Sequence, residues 1–354
     1  MSAVPVVITL LFSLGLSALT MPWFLRKMRE KGQTVTDYYK PGKPQMANNG
    51  GILTLFVVFV TIIVIPLIFR AIVKFDPVLL NSFPRFFTDL DTAILMVILL
   101  YAFYGVLDDY INVGRFSKIL IPLMFAYPLV IVLTGWNPWV PFSGETSLSA
   151  FDINISGIGT LTGSMMLRYV VVPVYIMVVA NLKNMHAGFN GLQSGTALII
   201  LSFILLKSAM DDNFSNIYTI AALTGAQLVF FWYNKYPSRI LEGNIGSLAV
   251  GAAIGAGIVV QHYLFAGIIM LMPHIINFLM YVYWRIMHRR HPDDERWQIV
   301  KFGRVRDDGT LEVPNRLTLK WLLPYHFRMT ERQVVYSMYL LTLAFCMLGL
   351  FVPG

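Results

Sequence analysis

The chain has 354 residues, of which 56% are hydrophobic and 13% are charged, and its mean hydropathy is +0.65. Soluble globular proteins carry about 25% charged residues, so this composition excludes a soluble fold and indicates a membrane protein. The formal net charge of +8 favours anionic partners such as lipid headgroups and anionic metabolites. No basic stripe is interleaved with aromatic residues on a soluble segment, so nucleic acid is not an expected partner.

Ten apolar runs, each about 20 residues long, begin near Val4, Gly51, Thr92, Ile119, Tyr169, Leu192, Ile217, Gly246, Tyr263 and Val334. Backbone amides in hydrocarbon must be satisfied within their own segment, so these runs predict helices. The sequence therefore predicts an all-α, polytopic membrane protein with about ten transmembrane helices. The shortest runs, near Thr92, Leu192 and Gly246, contain Gly, Ser or Thr and are predicted to be tilted or broken.

Polar residues gather in five stretches at the ends of these runs: Arg26 to Asn49, Asp108 to Lys118, Asn181 to Asn190, Asn234 to Asn244, and Trp284 to Arg332. Together they hold 22 of the 27 Lys and Arg residues. The positive-inside rule then places all five stretches in the cytosol and both termini outside. We expect one integral membrane domain, residues 1–354, with its active-site loops on the cytosolic face of a prokaryotic plasma membrane or a eukaryotic endoplasmic reticulum.

Two adjacent carboxylates, Asp108 and Asp109, end the third run, and Lys118 follows nine residues later. Neighbouring residues on a helix point in different directions, so one carboxylate can face a site while the other contacts a neighbouring helix. Ionisable groups near the bilayer core are costly and tend to be functional. The structural alternative is a solvated loop with a lysine that reaches out of the membrane. Four further polar stretches on the same face favour a functional site over this alternative.

Amides dominate the third stretch, where Asn181, Asn184 and Asn190 lie within ten residues and Gly188 and Gly191 allow a close approach to a ligand. An amide carbonyl can ligate Mg²⁺, and an amide NH₂ can donate to a base or a phosphate. Helix capping and an Asn-Gly turn would explain one or two of these amides, but hardly three.

The fourth stretch places Glu242, Gly243 and Asn244 at a helix entrance, where a phosphate could bind. An ordinary capped loop explains this pattern equally well.

In the last loop, residues 284–332, the cluster His288, Arg289, Arg290 and His291 suits a sugar phosphate or pyrophosphate. Membrane anchoring is the alternative explanation for each of these charges. The alternation from Trp297 to Pro314, with a turn signal at Asp308-Gly309, predicts a hairpin.

These motifs together resemble the polyprenyl-phosphate N-acetylhexosamine-1-phosphate transferases, and within them the dolichyl-phosphate GlcNAc-1-phosphotransferase branch. The points of resemblance, in order along the chain from about Asp37, are Asp108-Asp109 with Lys118, Asn181-x-x-Asn184 with Ala187-Gly-Phe-Asn190-Gly191, Tyr236-Pro-Ser-Arg239 before Gly243, the His288 to His291 cluster, and Leu317-Thr-Leu to Leu323-Pro-Tyr-His326. Asn190, where bacterial peptidoglycan-precursor enzymes have Asp, favours the eukaryotic and archaeal branch.

The resemblance implies transfer of GlcNAc-1-phosphate from UDP-GlcNAc to a membrane polyprenyl phosphate of the dolichyl form, with release of UMP. This is the first step of lipid-linked oligosaccharide assembly for N-glycosylation. It implies Mg²⁺, or alternatively Mn²⁺, at Asn184 and Asn244, catalytic roles for Asp108, Asp109 and Lys118, and a homodimer. The substrate-binding residues that it implies are Lys40, Lys43, Asn181, Gly188, Asn190, Gly191, His288, Arg289, Arg290 and His291.

One departure from the family pattern bears on the metal. The family usually has Gly-Asp at the entrance of the eighth helix, and this chain has Gly243-Asn244. The loss of a carboxylate weakens a site for a hard cation, unless Glu242 or the Asn244 carbonyl compensates. Two other functions stay open: the same transfer with another UDP-N-acetylhexosamine or for cell-wall precursors, and transport of a lipid-linked sugar without bond cleavage.

Overall fold

The computed structural model describes residues 3–40, 42–75, 88–111, 117–133, 153–155 and 159–353. Long apolar helices dominate these residues. The helices are α1 Val4–Glu30, α2 Gly51–Phe75, α3 Asp89–Ile111, α4 Ser117–Met124, α5 Tyr127–Val132, α6 Gly163–Met166, α7 Val172–Met185, α8 Leu192–Met210, α9 Tyr218–Asn234, α10 Gly243–Val260, α11 Leu264–Met270, α12 Met272–Arg290, α13 Leu319–His326 and α14 Glu331–Leu350. A π-helical turn, Leu167–Val171, joins α6 to α7.

Each of the ten predicted runs contains helix, but the count of ten membrane spans is not confirmed. Within the described residues, six helices are long and apolar enough to cross a bilayer: α1, α2, α3, α8, α10 and α14. A seventh span arises if α11 and α12, which meet at a bend of 65°, form one broken helix. The remaining runs are divided or short: α9 has 17 residues and α7 has 14.

Within the described residues, three short two-stranded sheets supplement the helices, so the prediction of an all-α fold holds only in outline. They pair β1 Thr34–Thr36 with β2 Gln45–Ala47, β3 Ile153–Ile155 with β4 Gly159–Leu161, and β5 Arg304–Val305 with β6 Leu311–Glu312, all antiparallel. The third confirms the hairpin predicted in the last loop. Its turn contains Gly309 at φ +78°, a left-handed conformation that favours glycine.

Helix α10 is the centre of the bundle, and its residues from Ile245 to Val260 are all buried. Small residues let neighbouring helices touch its backbone. A side chain at Gly251 would come within 2.7 Å of the Ala180 Cα in α7. One at Gly105 in α3 would come equally near the Ile245 Cα, at 2.7 Å. Such close approach maximises van der Waals contact where lipid supplies no hydrophobic driving force between helices.

The start of α2 is tied to the start of α10 by backbone hydrogen bonds as well. The Gly50 amide donates to the Leu241 carbonyl at 2.9 Å, and the Gly51 amide donates to the Glu242 carbonyl at 3.0 Å. A side chain at Gly51 would overlap the backbone of Gly246. As a result, the start of α2, the ends of α3 and α7 and the start of α10 converge on one face of the bundle.

We predict that Gly251→Leu destabilises the protein strongly, because the added side chain must displace the backbone of α7. Overpacking of this kind costs about 1–3 kcal/mol or more. Gly15→Leu is the matched control, since a side chain at Gly15 meets no atom within 4 Å. Thermal unfolding in detergent measures both variants; equal melting temperatures would contradict the close contact between α7 and α10.

Candidate active site

A cleft of about 630 Å³ lies where these helix ends converge. Its walls come from the β1–β2 hairpin, the end of α3, the α7–α8 loop, the start of α10 and the last loop. The lining residues are Val35, Thr36, Asp37, Tyr38, Tyr39, Met46, Asn48, Asp109, Asn184, Ala187, Gly188, Phe189, Asn190, Gln193, Asn234, Leu241, Glu242, Gly243, Asn244, Ser247, Lys301 and Phe302.

Asp109, Asn184 and Asn244 form one connected polar group in this cleft. The Asn244 side-chain amide donates to Asp109 Oδ1 at 2.6 Å. The Ser247 hydroxyl donates to Asn184 Oδ1 at 2.6 Å and lies 3.2 Å from the Asn244 carbonyl oxygen. Residues that are 60 to 135 positions apart in sequence thus bring one carboxylate and two amide groups together, as the sequence predicted.

A buried ion pair lies at the base of the same group. Lys183, in the last turn of α7, pairs with Glu242 immediately before α10, and both side chains are almost fully buried. The Gln227 amide donates to the second Glu242 oxygen at 3.3 Å. Both Glu242 oxygens are therefore engaged, one by the Lys183 charge and one by a neutral amide, although Glu242 lines the cleft. We infer that it does not replace the carboxylate that Asn244 lacks.

Asn190 is held by partners inside the protein. Its side-chain oxygen accepts from Lys40 Nζ at 2.7 Å and from the Ser238 amide at 2.8 Å, and its NH₂ donates to Asp37 at 3.2 Å. Lys40 in turn pairs with Asp37 at 2.9 Å and with Glu331 at 3.1 Å. This network joins the β1–β2 segment, the α7–α8 loop and α14, so Asn190 and Lys40 shape the cleft wall with their side chains already engaged.

The structure places five of the predicted site residues in the cleft lining: Asp109, Asn184, Gly188, Asn190 and Asn244. Asp108 is outside the lining, in keeping with the expectation that adjacent carboxylates point differently. The Asn181 amide donates to the Met177 carbonyl of its own helix at 2.8 Å. The Gly191 carbonyl accepts from the Tyr339 hydroxyl at 2.6 Å, and Lys43 is exposed on the β1–β2 turn. The Lys118 side chain falls outside the described residues, so its catalytic role stays a prediction.

The basic cluster His288, Arg289, Arg290 and His291 does not line the cleft. It occupies the last turn of α12 and the residue after it, where Arg289, Arg290 and His291 are exposed. The chain returns to the cleft only at Lys301 and Phe302. The assignment of the sugar phosphate to the cluster therefore stays a prediction, and among the cleft-lining residues of the described chain Lys301 is the one basic side chain.

Sequence reasoning missed Asp37, Tyr38, Lys301 and Phe302 as cleft residues. Tyr38 stacks on Phe302 with ring centroids 4.2 Å apart, and the Gly303 amide donates to the Tyr39 hydroxyl at 3.0 Å. These contacts join the β1–β2 hairpin to the last loop across the mouth of the cleft. No periodic pattern marks residues whose partners lie 264 positions away.

The donor set of the cleft fits a small, hard cation. Within the described residues, no group of three or more His, Cys, Asp or Glu side chains gathers in a way that could hold a metal. One carboxylate at Asp109 and the amide oxygens of Asn184 and Asn244 are nevertheless oxygen donors that belong to one hydrogen-bonded group. Mg²⁺ in enzymes commonly takes one or two carboxylates and fills its remaining positions with water and substrate phosphate.

We predict that Lys183→Met lowers the free energy of unfolding by about 3–5 kcal/mol, because it leaves Glu242 as a buried, unpaired charge. Lys27→Met is the control: it breaks an exposed pair with Glu30, at 2.7 Å, which contributes about 0–1 kcal/mol. Thermal unfolding compares the two variants. A second replacement, Glu242→Gln, should restore part of the loss in Lys183→Met; equal effects of Lys183→Met and Lys27→Met would contradict the buried pair.

This chain is similar in sequence to several known proteins. Residues 92–262, which carry most of α3 and all of α4 to α10, match the model of glycosyl transferase family 4. A Saccharolobus solfataricus protein named "Putative UDP-N-acetylglucosamine--dolichyl-phosphate N-acetylglucosaminephosphotransferase" is 24% identical over 90% of this chain and 88% of its own length. A Sulfolobus acidocaldarius protein of the same name is 28% identical over 64% of this chain and 63% of its own length.

A bacterial protein is similar as well. The phospho-N-acetylmuramoyl-pentapeptide-transferase of Clostridioides difficile is 29% identical over 52% of this chain and 58% of its own length. Archaeal and bacterial proteins are therefore both similar in sequence to this chain. The resemblance to the polyprenyl-phosphate N-acetylhexosamine-1-phosphate transferases is thus confirmed by a family model and by archaeal and bacterial proteins with sequences similar to this chain.

Proposed function

We propose that this protein transfers GlcNAc-1-phosphate from UDP-GlcNAc to a polyprenyl phosphate, of the dolichyl type, and releases UMP. The observation that carries the proposal is the convergence of Asp109, Asn184 and Asn244 in a cleft at the ends of apolar helices. The printed names of the two archaeal relatives favour this donor and acceptor. The product would then be the starting lipid for the assembly of lipid-linked oligosaccharides used in N-glycosylation.

The reaction is the attack of one anionic phosphate on another. An oxygen of the lipid phosphate forms a bond to the phosphorus that carries the sugar, the bond between that phosphorus and the bridging oxygen breaks, and the bridging oxygen leaves with UMP. The acceptor oxygen is already ionised near neutral pH, so no general base is needed. Catalysis then depends on positioning the two phosphates and on neutralising their repulsion.

Mg²⁺ fits the donor set of the cleft, and we assign Asp109, Asn184 and Asn244 as the residues that would hold it, with Mn²⁺ as an alternative. When bound, such an ion neutralises charge on the diphosphate. The chain's own contribution is to fix these oxygens: Ser247 orients Asn184, and Asn244 and Asp109 orient each other. Asn244 thus takes part in the site through the hydrogen bond that its side-chain amide donates to Asp109. The family pattern has a carboxylate at this position.

Lys301 is the side chain that we assign to the diphosphate of the donor. It lies in the last loop beside Phe302, with its ammonium 5.3 Å from the centre of that ring. Because Tyr38 stacks on Phe302, the position of Lys301 over the cleft is coupled to the β1–β2 hairpin. A lysine ammonium is a compact point charge that suits a phosphate oxygen.

The first prediction of this function is release of UMP by the purified protein with UDP-GlcNAc, dolichyl phosphate and Mg²⁺, and loss of that release in excess EDTA. Asp109→Asn should lower kcat by about 100-fold or more, because it removes the carboxylate of the site. Unchanged thermal unfolding of the variant shows that folding is intact. The proposal would be rejected if neither the natural protein nor an Asn244→Asp variant, which restores the family pattern, released UMP.

A second prediction concerns Lys301. Lys301→Ala should raise the KM for UDP-GlcNAc about tenfold with little change in the KM for the lipid acceptor, since a charged contact to phosphate contributes about 1.5–3 kcal/mol. Lys31→Ala, which removes an exposed lysine outside the cleft lining, is the control for loss of positive charge. A donor KM that changes equally in both variants would contradict the assignment of Lys301.

The same assays separate the alternatives. A panel of UDP-N-acetylhexosamines decides the sugar, and polyprenyl phosphates of differing length and saturation decide the acceptor. A transporter of lipid-linked sugars would bind or move its substrate and release no UMP. The cytosolic orientation of the cleft and a homodimer stay predictions, which cysteine accessibility in sealed vesicles and mass measurement in nanodiscs would test.

A further inference from the structure

Lys320 contacts residues of the cleft wall but is not itself part of the cleft lining. It belongs to the first turn of α13, a short helix in the last loop. That helix is fixed at the same turn, because the Leu319 amide donates to the Asn277 side chain at 3.0 Å and Trp321, only 1% exposed, packs edge-on against Trp284. The position of the Lys320 side chain is therefore determined by buried neighbours.

The ammonium of Lys320, which is not part of the cleft lining, contacts the α7–α8 loop. It donates to the Ala187 carbonyl at 2.6 Å and lies 5.4 Å from the centre of the Phe189 ring. Gly188, between them, has φ +110°, and a side chain at that position would collide with the Lys320 ammonium. Ala187, Gly188 and Phe189 all line the cleft. Lys320 thus contacts three consecutive residues of the cleft wall without entering the cleft.

We propose that Lys320 is a positioning residue for the nucleotide-sugar donor, an inference that rests on the function proposed above. It holds residues Ala187–Phe189 of the cleft wall in their binding conformation before the donor arrives. The free-energy cost of ordering this loop is then not paid when the donor binds. Nothing in the sequence distinguishes Lys320 from an anchoring lysine, because its partner carbonyl lies 133 positions away.

The charge on Lys320 gives the proposal a pH signature. Burial lowers the pKa of Lys320 to about 8, and the nearby Glu331 carboxylate opposes that shift. His186 also faces Lys320, and burial, with smaller contributions from His274 and Lys320, holds the pKa of its imidazole well below 6.5. The amine of Lys320 is protonated and positively charged below its own pKa and neutral above it. The charged hydrogen bond to Ala187 is therefore present at pH 7 and lost as the pH rises past about 8.

The test compares the full-length protein with Lys320→Met, which keeps the apolar stem and removes the donor, and with Lys27→Met as the matched charge control. At pH 7, Lys320→Met should raise the KM for UDP-GlcNAc about tenfold, the size expected for a charged hydrogen bond, with little change in kcat or in the KM for dolichyl phosphate. The donor KM of the natural protein should rise between pH 7 and 9, whereas that of Lys320→Met should stay level. Lys320→Gln, which can still donate, should lie between them at pH 7.

A second measurement keeps this inference separate from the proposed function. Deuterium uptake by peptides that cover residues 187–191 should be faster in Lys320→Met than in Lys27→Met, whether or not UDP-GlcNAc is turned over. An unchanged donor KM in a folded Lys320→Met, or, if the natural protein releases no UMP, unchanged deuterium uptake, would overturn the positioning role. Global unfolding of Lys320→Met would show as fast exchange throughout the chain, in which case Lys320→Gln decides by the same two readouts.

Discussion

The close contact of α10 with its neighbours is the constraint on which the cleft depends. Glycines at Gly51, Gly105 and Gly251 let the backbones of α2, α3 and α7 approach α10 more closely than any side chain would allow. Because Asp109 and Asn184 lie one turn from those contacts, their distances to Asn244 follow from backbone packing. A larger separation of these helices would leave the same polar residues at the membrane surface without joining them.

The buried Lys183–Glu242 pair complements that packing with an electrostatic requirement. Two charges withdrawn from water are stable only while they remain together, so the end of α7 and the start of α10 cannot separate without a large cost. The pair lies immediately beside Asn184 and Asn244, each one or two residues away in the chain. Such a rigid base suits a reaction that needs two phosphates held in line and few groups that move.

The sequence predicted those parts of the protein that depend on local pattern. Apolar runs located the helices, and the polar ends of those runs located Asp109, Asn184, Gly188, Asn190 and Asn244. Span number was less predictable, because the bend between α11 and α12 and the shortness of α7 and α9 arise from packing and leave no clear mark in hydropathy. Charge density alone did not identify Lys301: a basic cluster at a helix end, such as His288 to His291, anchors as readily as it binds, and only the path of the last loop shows that Lys301 lines the cleft.

The charges of the cleft explain how it could accept two anionic substrates with so few cations in its lining. Three carboxylates line it, at Asp37, Asp109 and Glu242. Asp37 is balanced by Lys40 and Glu242 by Lys183, in both cases by a lysine outside the lining. Asp109 accepts a hydrogen bond from the neutral amide of Asn244. An aspartate at position 244 would place a second negative charge against Asp109, so the asparagine lowers the repulsion that an entering diphosphate meets while it weakens the attraction for a cation. The balance between these two effects, and not the presence of a carboxylate alone, sets how this variant of the site performs.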